Sequence, residues 1–461
     1  MNIYHIGIKQ IDGPLIVVDK VKEAHYDEVV NIITPTGNRK GRVVWIENEK
    51  AAIQVFSGTS ELSITNTKTE FLGHPILLKV SKNLLGRILN GSGEPIDNLG
   101  VLEGTDERDI NSSPINPVSR IYPKSFIETG FSAIDGLTTL IRGQKLPIFS
   151  ASGLPHEKLA ALIASQSNIK DSGNFCVVFG AIGVKNDTAS FFKKEFIKAG
   201  VMDHTVMIVN TSSDPIIERI LTPRIALTAA EYLAYTLNMH VLVILTDMTA
   251  YCEALREFSS SKGEIPGRKG FPGYMYSDLA SIYERAGIVK TATGSITQIP
   301  ILTMPNEDIT HPIPDLTGYI TEGQIVLSKD LVSANIFPPI SILPSLSRLM
   351  KDGIGEGFTR KDHQTLANQI FASYSRTLEI KSLAAVIGED ELGDNDRLFL
   401  SFGRLFETHY INQTTKRSII ETLNLGWELL SILPRDTLTN TPSNILDEYY
   451  NNKAALLKYK L

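Results

Sequence analysis

Along the first 75 residues the apolar positions fall in short runs rich in Val and Ile, at residues 15–18, 29–33, 42–46 and 51–56. Runs of this length, bounded by turn-forming residues, are the pattern of β-strands. Thr36-Gly37-Asn38 and Glu47-Asn48-Glu49 lie between them and supply turn chemistry. Repeated short strands at this spacing predict a small barrel.

From residue 76 the pattern changes. Buried-strand candidates at 146–150, 176–180, 205–210 and 241–245 are separated by helical stretches at 157–167, 188–199 and 215–238. Strands alternating with helices imply right-handed crossovers and a mainly parallel sheet covered on both faces. After Gly357 the period becomes helical: Leu366, Ile370, Tyr374 and Leu378 mark one face, and Leu398, Phe399, Phe402, Leu405 and Phe406 another. The expected organisation is multidomain. An N-terminal β-barrel (1–75) leads into a central α/β core with a mainly parallel sheet (76–350), then a C-terminal helical bundle (351–461).

Composition narrows the classes of function. A length of 461 residues agrees with about three domains of ordinary size. The net charge of −6 argues against nucleic acid, whose binding leaves a basic footprint. Cys176 and Cys252 stand among apolar residues, so reduced thiols are expected rather than a disulfide framework. Residues 1–24 mix Lys, Asp and Glu with apolar positions, unlike a secretory signal. The longest clean apolar run, 241–245, falls far short of the ~20 residues of a membrane helix, so any membrane role is expected to be peripheral. The histidines show no metal-ligand spacing, and no metal site is expected.

The candidate for chemistry is the strand–loop–helix passage from Lys145 to Glu157. A phosphate-binding loop needs glycines so that backbone N–H groups can surround phosphate, a lysine, and a Ser or Thr for magnesium. On that template Ser150 replaces the first glycine, Pro155 the second, His156 the lysine and Glu157 the hydroxyl, while Gly153 remains. Proline removes a donor and the carboxylate repels a triphosphate, so weak or absent nucleotide binding is expected. The plain alternative is an ordinary strand-to-helix turn with Pro155 in the helix's first turn. Asp247 follows the strand at 241–245, where a magnesium-orienting carboxylate would sit; with the phosphate loop eroded, a helix N-cap is the favoured role.

Several segments together resemble the B subunit of vacuolar/archaeal-type rotary ATPases. They are Leu85-Gly86-Arg87-Ile88-Leu89-Asn90 with Gly93-Glu94-Pro95-Ile96-Asp97, and Thr129-Gly130-Phe131-Ser132-Ala133-Ile134-Asp135-Gly136 with Arg142-Gly143-Gln144-Lys145. Tyr274-Met275-Tyr276-Ser277-Asp278-Leu279, Tyr283-Glu284-Arg285-Ala286-Gly287 and Asp308-Ile309-Thr310-His311-Pro312-Ile313-Pro314-Asp315 extend the match over nearly the whole chain. Ser152-Gly153-Leu154-Pro155-His156 is similar to the B-type loop and unlike the catalytic one.

The resemblance implies a RecA-like nucleoside-triphosphatase core and a non-catalytic, regulatory subunit in the soluble head of a rotary ATP synthase or ATPase. Three copies would alternate with three catalytic A subunits around a central shaft, with a peripheral stalk and a membrane ion-translocating sector beyond. The implied place is the cytoplasmic face of the membrane. ATP or ADP with Mg would lie at the A–B interface, held mainly by the A subunit, with no tightly bound cofactor here. Catalytic relatives carry a glutamate in a Gly-Glu-Arg turn; the matching stretch is Gly183-Val184-Lys185, and valine cannot polarise water. Pro344-Ser345-Leu346-Ser347-Arg348-Leu349 resembles the segment that reaches into a neighbour's active site, which makes Arg348 the implied arginine finger. A guanidinium can meet two γ-phosphate oxygens at once. The alternative for Arg348 is an exposed helix arginine. Ser341, in Pro338-Pro339-Ile340-Ser341, departs from the acidic or amide residue of the wider signature. Arg285 is a candidate for the shared interface or for an internal salt bridge. The acidic turn Glu389-Asp390-Glu391, between a helix stopped at Gly388 and one expected near Arg397, is implied as a rotor contact. Two competing functions are a free-standing hexameric ATPase motor, of secretion or helicase type, and a purely structural scaffold.

Overall fold

The computed structural model describes residues 4–35, 37–56, 58–104, 106–169 and 174–460. It divides into two compact units, one formed by residues up to Ile115 with Cys176–Arg285, the other by Asn116–Phe175 with the chain from Ala286 onward.

The first unit opens on a seven-stranded antiparallel sheet with a buried core of Ile8, Ile16, Val18, Val30, Ile32, Val43, Ile53 and Val55. Tyr4–Ile6 pairs with Lys68–Phe71, and Gln10–Asp12 pairs with Leu15–Asp19. One N-terminal stretch therefore meets both ends of the sheet and closes it into a barrel, which removes the exposed edges. Asn48 (φ 48°) and Glu49 (φ 59°) form the two-residue loop between Gly37–Glu47 and Lys50–Val55, matching the strand twist. The other expected turn is displaced: Thr34 pairs with Gly37, so Gly37 and Asn38 already belong to a strand, while Thr36 lies outside the described residues.

After the barrel, the strands Ile88–Asn90, Thr205–Thr211 and Phe175–Val184 run parallel. The helices Asn186–Lys198, Ile216–Glu231 and Met248–Ser261 follow strands of this unit. The helix expected at 215–238 ends early; Tyr232–Thr236 is a π-helical turn that widens its last turns.

The second unit holds Ile148–Ser150 between the parallel strands Ser295–Thr303 and Gly323–Leu327, with Ile340–Ser347 added antiparallel at the edge. The last three strands lie outside the strands that the hydrophobic pattern predicts. Its helical part is built on His363–Ile387, Asp394–Leu405 and Ile419–Leu430, the last opened by a Ser418–Glu421 capping box. The second of these begins at Asp394, three residues before the expected start, because Asp394 and Asp396 favour a helix's first turn. On the long helix Leu366, Ile370 and Tyr374 are buried, but the buried stripe continues through Thr377 and Ile380 while Leu378 is only half-buried. A strict four-residue spacing drifts off a 3.6-residue face, which explains the shift. Among the described residues no helix is long and apolar enough to cross a membrane. Cys176 and Cys252 are buried free thiols.

Candidate functional site

The passage from the strand Ile148–Ser150 to the helix His156–Gln166 is a compact turn closed on itself. The Leu154 N–H donates to the Ala151 carbonyl at 3.2 Å, and the His156 N–H to the Leu154 carbonyl at 2.9 Å. Gly153 takes φ +84°, a conformation that suits glycine. Pro155 is the helix N-cap, one position before the expected first turn, and contributes neither N–H nor side-chain cap. The Ser150 hydroxyl lies 3.0 Å from His156 Nδ1, so the residues standing for the first glycine and the lysine bind one another. Glu157 occupies the helix's first turn, where its charge suits the helix dipole and opposes an incoming phosphate. The next cation, Lys158, sits 4.2 Å over the Phe337 ring.

Val184 ends its strand, and its carbonyl accepts from the Ser212 N–H at 2.7 Å. Its aliphatic side chain has no group to orient a water. Asp247 caps the helix Met248–Ser261, its Oδ1 accepting from the Thr249 N–H at 2.8 Å. The N-cap role favoured from sequence is present.

Arg348 is not on a helix, as its plainer alternative required. It occupies the turn leaving the strand Ile340–Ser347, with an exposed side chain. Its backbone is fixed: the Arg348 N–H donates to the Glu322 carbonyl at 2.9 Å. The same carbonyl accepts from Gln144 Nε2 at 3.1 Å, and that amide also donates to the Ser347 hydroxyl at 2.9 Å. The Ser347 hydroxyl donates in turn to the Thr139 carbonyl at 2.9 Å. Close backbone approach at this point leaves no space for a side chain on Gly323, where a Cβ would lie 2.3 Å from the Leu346 carbonyl oxygen. The carboxylate of Glu322 clamps buried Lys145 through its backbone N–H at 2.8 Å and its ammonium at 2.7 Å. By contrast the Arg348 guanidinium makes one long hydrogen bond, Nη1 to the Thr321 carbonyl at 3.3 Å. A rigid base thus carries a charged side chain facing outward.

The fold brings Arg142-Gly143-Gln144-Lys145 against the turn of Arg348, a meeting of two segments that each looked separate in the sequence. Glu322, which joins them, is not marked by the sequence. It lies 177 residues from Lys145, and its neighbours carry no motif that marks it.

Arg285 has the internal role. It is 1% exposed, binds Glu231 with both Nε (2.6 Å) and Nη2 (2.8 Å), and donates to the Ile110 carbonyl (3.0 Å) and the Thr228 hydroxyl (2.8 Å). Asp135, in the Thr129–Gly136 segment, is fully buried and accepts from the Thr129 N–H and hydroxyl and from the Gly130 N–H. Burial pushes its carboxyl up to about 7, against the three donors that favour the charged form. Nearby, His363 is buried with Nε2 3.0 Å from the Gly136 carbonyl and Nδ1 3.0 Å from the Thr359 hydroxyl. A carbonyl only accepts, so Nε2 carries the proton of the neutral ring. Burial lowers the His363 pKa to about 4.

At the far end of the long helix, Gly388 is followed by a single 3₁₀ turn, Glu389–Glu391. Arg404 holds both carboxylate oxygens of Glu389, at 2.8 and 2.9 Å, and Arg397 donates to the Asp390 carbonyl at 2.7 Å. The turn is therefore ordered by its own helices. Beside it Leu383, Val386 and Ile387 are exposed, Val386 by 83%, an apolar edge that the acidic pattern had hidden.

Three sequence matches follow the same architecture. Residues 8–73 match the ATP synthase alpha/beta family beta-barrel domain, 130–347 its nucleotide-binding domain, and 352–450 the C-terminal domain of V and A type ATP synthase. Barrel, nucleotide-binding-type core and helical C-terminal domain together define a head subunit of the ATP synthase alpha/beta class. Relatives are more specific. The V-type ATP synthase beta chain of Halothermothrix orenii is 57% identical, the match spanning 96% of this chain and 97% of that one. The B subunit of the A-type ATP synthase of Aeropyrum pernix is 55% identical over the same shares. Among solved structures, the ATP synthase protein NeqB from Nanoarcheaum equitans superposes with a TM-score of 0.72 at 40% identity, covering 91% of this chain and all of that one. The chain belongs to the family of V-type ATP synthase beta chains and A-type ATP synthase B subunits.

Proposed function

We propose that this chain is the non-catalytic, regulatory B subunit of a V/A-type rotary ATP synthase head, and that it lends Arg348 to the active site of an adjacent A subunit. The observation that carries the reading is the closed turn at Ser150–His156. Two of its substituted positions, Ser150 and His156, bind each other, and Pro155 supplies no donor, so little is left to hold a triphosphate. Val184 in place of a water-polarising carboxylate points the same way. Arg348 supplies the complementary half: an exposed guanidinium on a fixed backbone, suited to meet the charge that spreads over γ-phosphate oxygens in phosphoryl transfer.

In this role three copies of the chain alternate with three A subunits around a central shaft. ATP or ADP with Mg lies at the A–B interface and is held mainly by the A subunit. The complex stands on the cytoplasmic face of the membrane, braced by a peripheral stalk, and couples ATP turnover to proton or sodium transport. The test is steady-state hydrolysis by the chain alone and by heads reconstituted with the A-type partner. Activity is expected only in the mixture, and Arg348→Ala is expected to lower it by roughly 10³-fold or more while leaving assembly intact. Arg348→Lys is expected to restore little, because an ammonium lacks the planar fork. Turnover by the isolated chain would indicate a free-standing motor, and near-normal turnover in the alanine variant a scaffold.

A further inference from the structure

We infer that Gln144 is a positioning residue for Arg348, setting where the guanidinium stands when it enters a neighbour's active site; the inference rests on the arginine role proposed above. Gln144 is fully buried, and its amide lies at the centre of the Arg348 turn. Nε2 donates both to the Glu322 carbonyl at 3.1 Å and to the Ser347 hydroxyl at 2.9 Å, while Oε1 accepts from the Ile141 N–H at 2.9 Å. The Glu322 carbonyl is also the acceptor for the Arg348 N–H, and Ser347 is the residue immediately before Arg348. One side chain therefore fixes the turn from both sides of its start.

The arrangement is stiff for a stated reason. The Gln144 amide, the Glu322 carbonyl and the Ser347 hydroxyl all have partners, so any displacement of the turn leaves one of these groups unsatisfied. The Glu322 carboxylate, held by the Lys145 backbone and ammonium, prevents the Glu322 carbonyl from following a displaced Arg348. Among the described residues the Arg348 side chain has only the 3.3 Å bond to Thr321, so its reach is governed by the backbone beneath it. Phosphoryl transfer depends on placement, and a shift of about 1 Å can cost roughly 10²-fold in rate.

The experiment is a double-mutant cycle in reconstituted A–B heads, with kcat and the KM for ATP measured for wild type, Gln144→Met, Arg348→Ala and the double variant. Methionine keeps nearly the same length and deletes the hydrogen bonds. Gln144→Met is expected to lower kcat by about 10²-fold with little change in KM, and the double variant is expected to be no slower than Arg348→Ala. Wild-type kcat in Gln144→Met beside a crippled Arg348→Ala would overturn the positioning role alone. A double variant slower than Arg348→Ala by the full Gln144→Met factor would also overturn it, because the effect would then travel through the fold and not through the arginine. Near-normal turnover in Arg348→Ala would remove the arginine role itself and the positioning with it. Should Gln144→Met fail to assemble, Ser347→Ala enters the same cycle, since it deletes the hydroxyl joining Gln144 to the Thr139 carbonyl. The same non-additivity with Arg348→Ala is then expected.

Discussion

The Ser150 hydroxyl and His156 Nδ1 stand 3.0 Å apart across the turn that joins a core strand to its helix. The contact engages the two side chains that stand where a phosphate loop has a glycine and a lysine. The isolated chain is accordingly expected to bind ATP weakly and to hydrolyse none. Replacing Pro155 with glycine, His156 with lysine and Glu157 with threonine is expected to strengthen binding, by returning a donor and a cation and removing a repelling carboxylate. Titration with labelled nucleotide measures both proteins. Sub-micromolar affinity in the wild type would show that the turn opens.

Arg285 and Arg348 are expected to separate stability from turnover. Removing a partner from a buried ion pair costs about 3–5 kcal/mol, and Arg285→Ala leaves Glu231 facing an empty site and takes a donor from the Ile110 carbonyl, while the Thr228 hydroxyl keeps its bond to the Arg224 carbonyl. Chemical denaturation of the isolated chain should register that loss. Arg348→Ala should melt with the wild type, since its guanidinium has a single long hydrogen bond. Equal melting of Arg285→Ala and wild type would contradict the structural role assigned to Arg285.

His363 predicts a pH dependence with a definite sign. Its pKa falls from 6.5 to about 4 on folding, because burial disfavours the imidazolium. Between these values the unfolded chain binds more protons than the folded one, so stability falls as pH drops from about 6.5 to about 4. Across that window the group's share is about 3 kcal/mol. His363→Gln keeps an amide donor for the Gly136 carbonyl and does not titrate. Urea denaturation at a series of pH values should therefore give the variant a shallower slope. An unchanged slope would assign the effect to other groups.

The hairpin around Gly388 is proposed to touch the central shaft, and its geometry is the property to test. Exposed ion pairs are typically worth only ~0–1 kcal/mol, so removing charges from Glu389, Asp390 and Glu391 is a weak probe. Glu391→Cys places a thiol at the tip, and the native cysteines are buried. In the assembled complex it is expected to cross-link to the shaft and to block rotation while the subunit stays folded. Cross-links formed only with the peripheral stalk would put the hairpin on the wrong side.

Local patterns were enough for much of this molecule. The Val- and Ile-rich runs marked barrel strands because alternation and turn chemistry act over a few residues. The substitutions at Ser150, Pro155, His156 and Glu157 were visible because a phosphate loop is one contiguous segment. The helix stop at Gly388 and the acidic turn after it were equally local.

Other features depend on groups that are distant in the chain. The strands Ser295–Thr303, Gly323–Leu327 and Ile340–Ser347 carry no strong alternation, and neighbouring strands stabilise them through ladder pairing. Whether Arg285 faced a partner or an internal carboxylate could not be read from its flanks; Glu231, 54 residues away, decided it. The base of Arg348 is built from Thr139, Gln144, Thr321, Glu322 and Ser347, whose hydrogen bonds exist only once separate strands lie side by side. Sequence alone determined which residues could carry charge, cap a helix or fail to hold phosphate, since those properties belong to side chains and short backbone segments. Tertiary structure alone decided which of them are engaged and which are left facing outward, because burial and hydrogen-bond partnership are set by chain segments that meet only on folding.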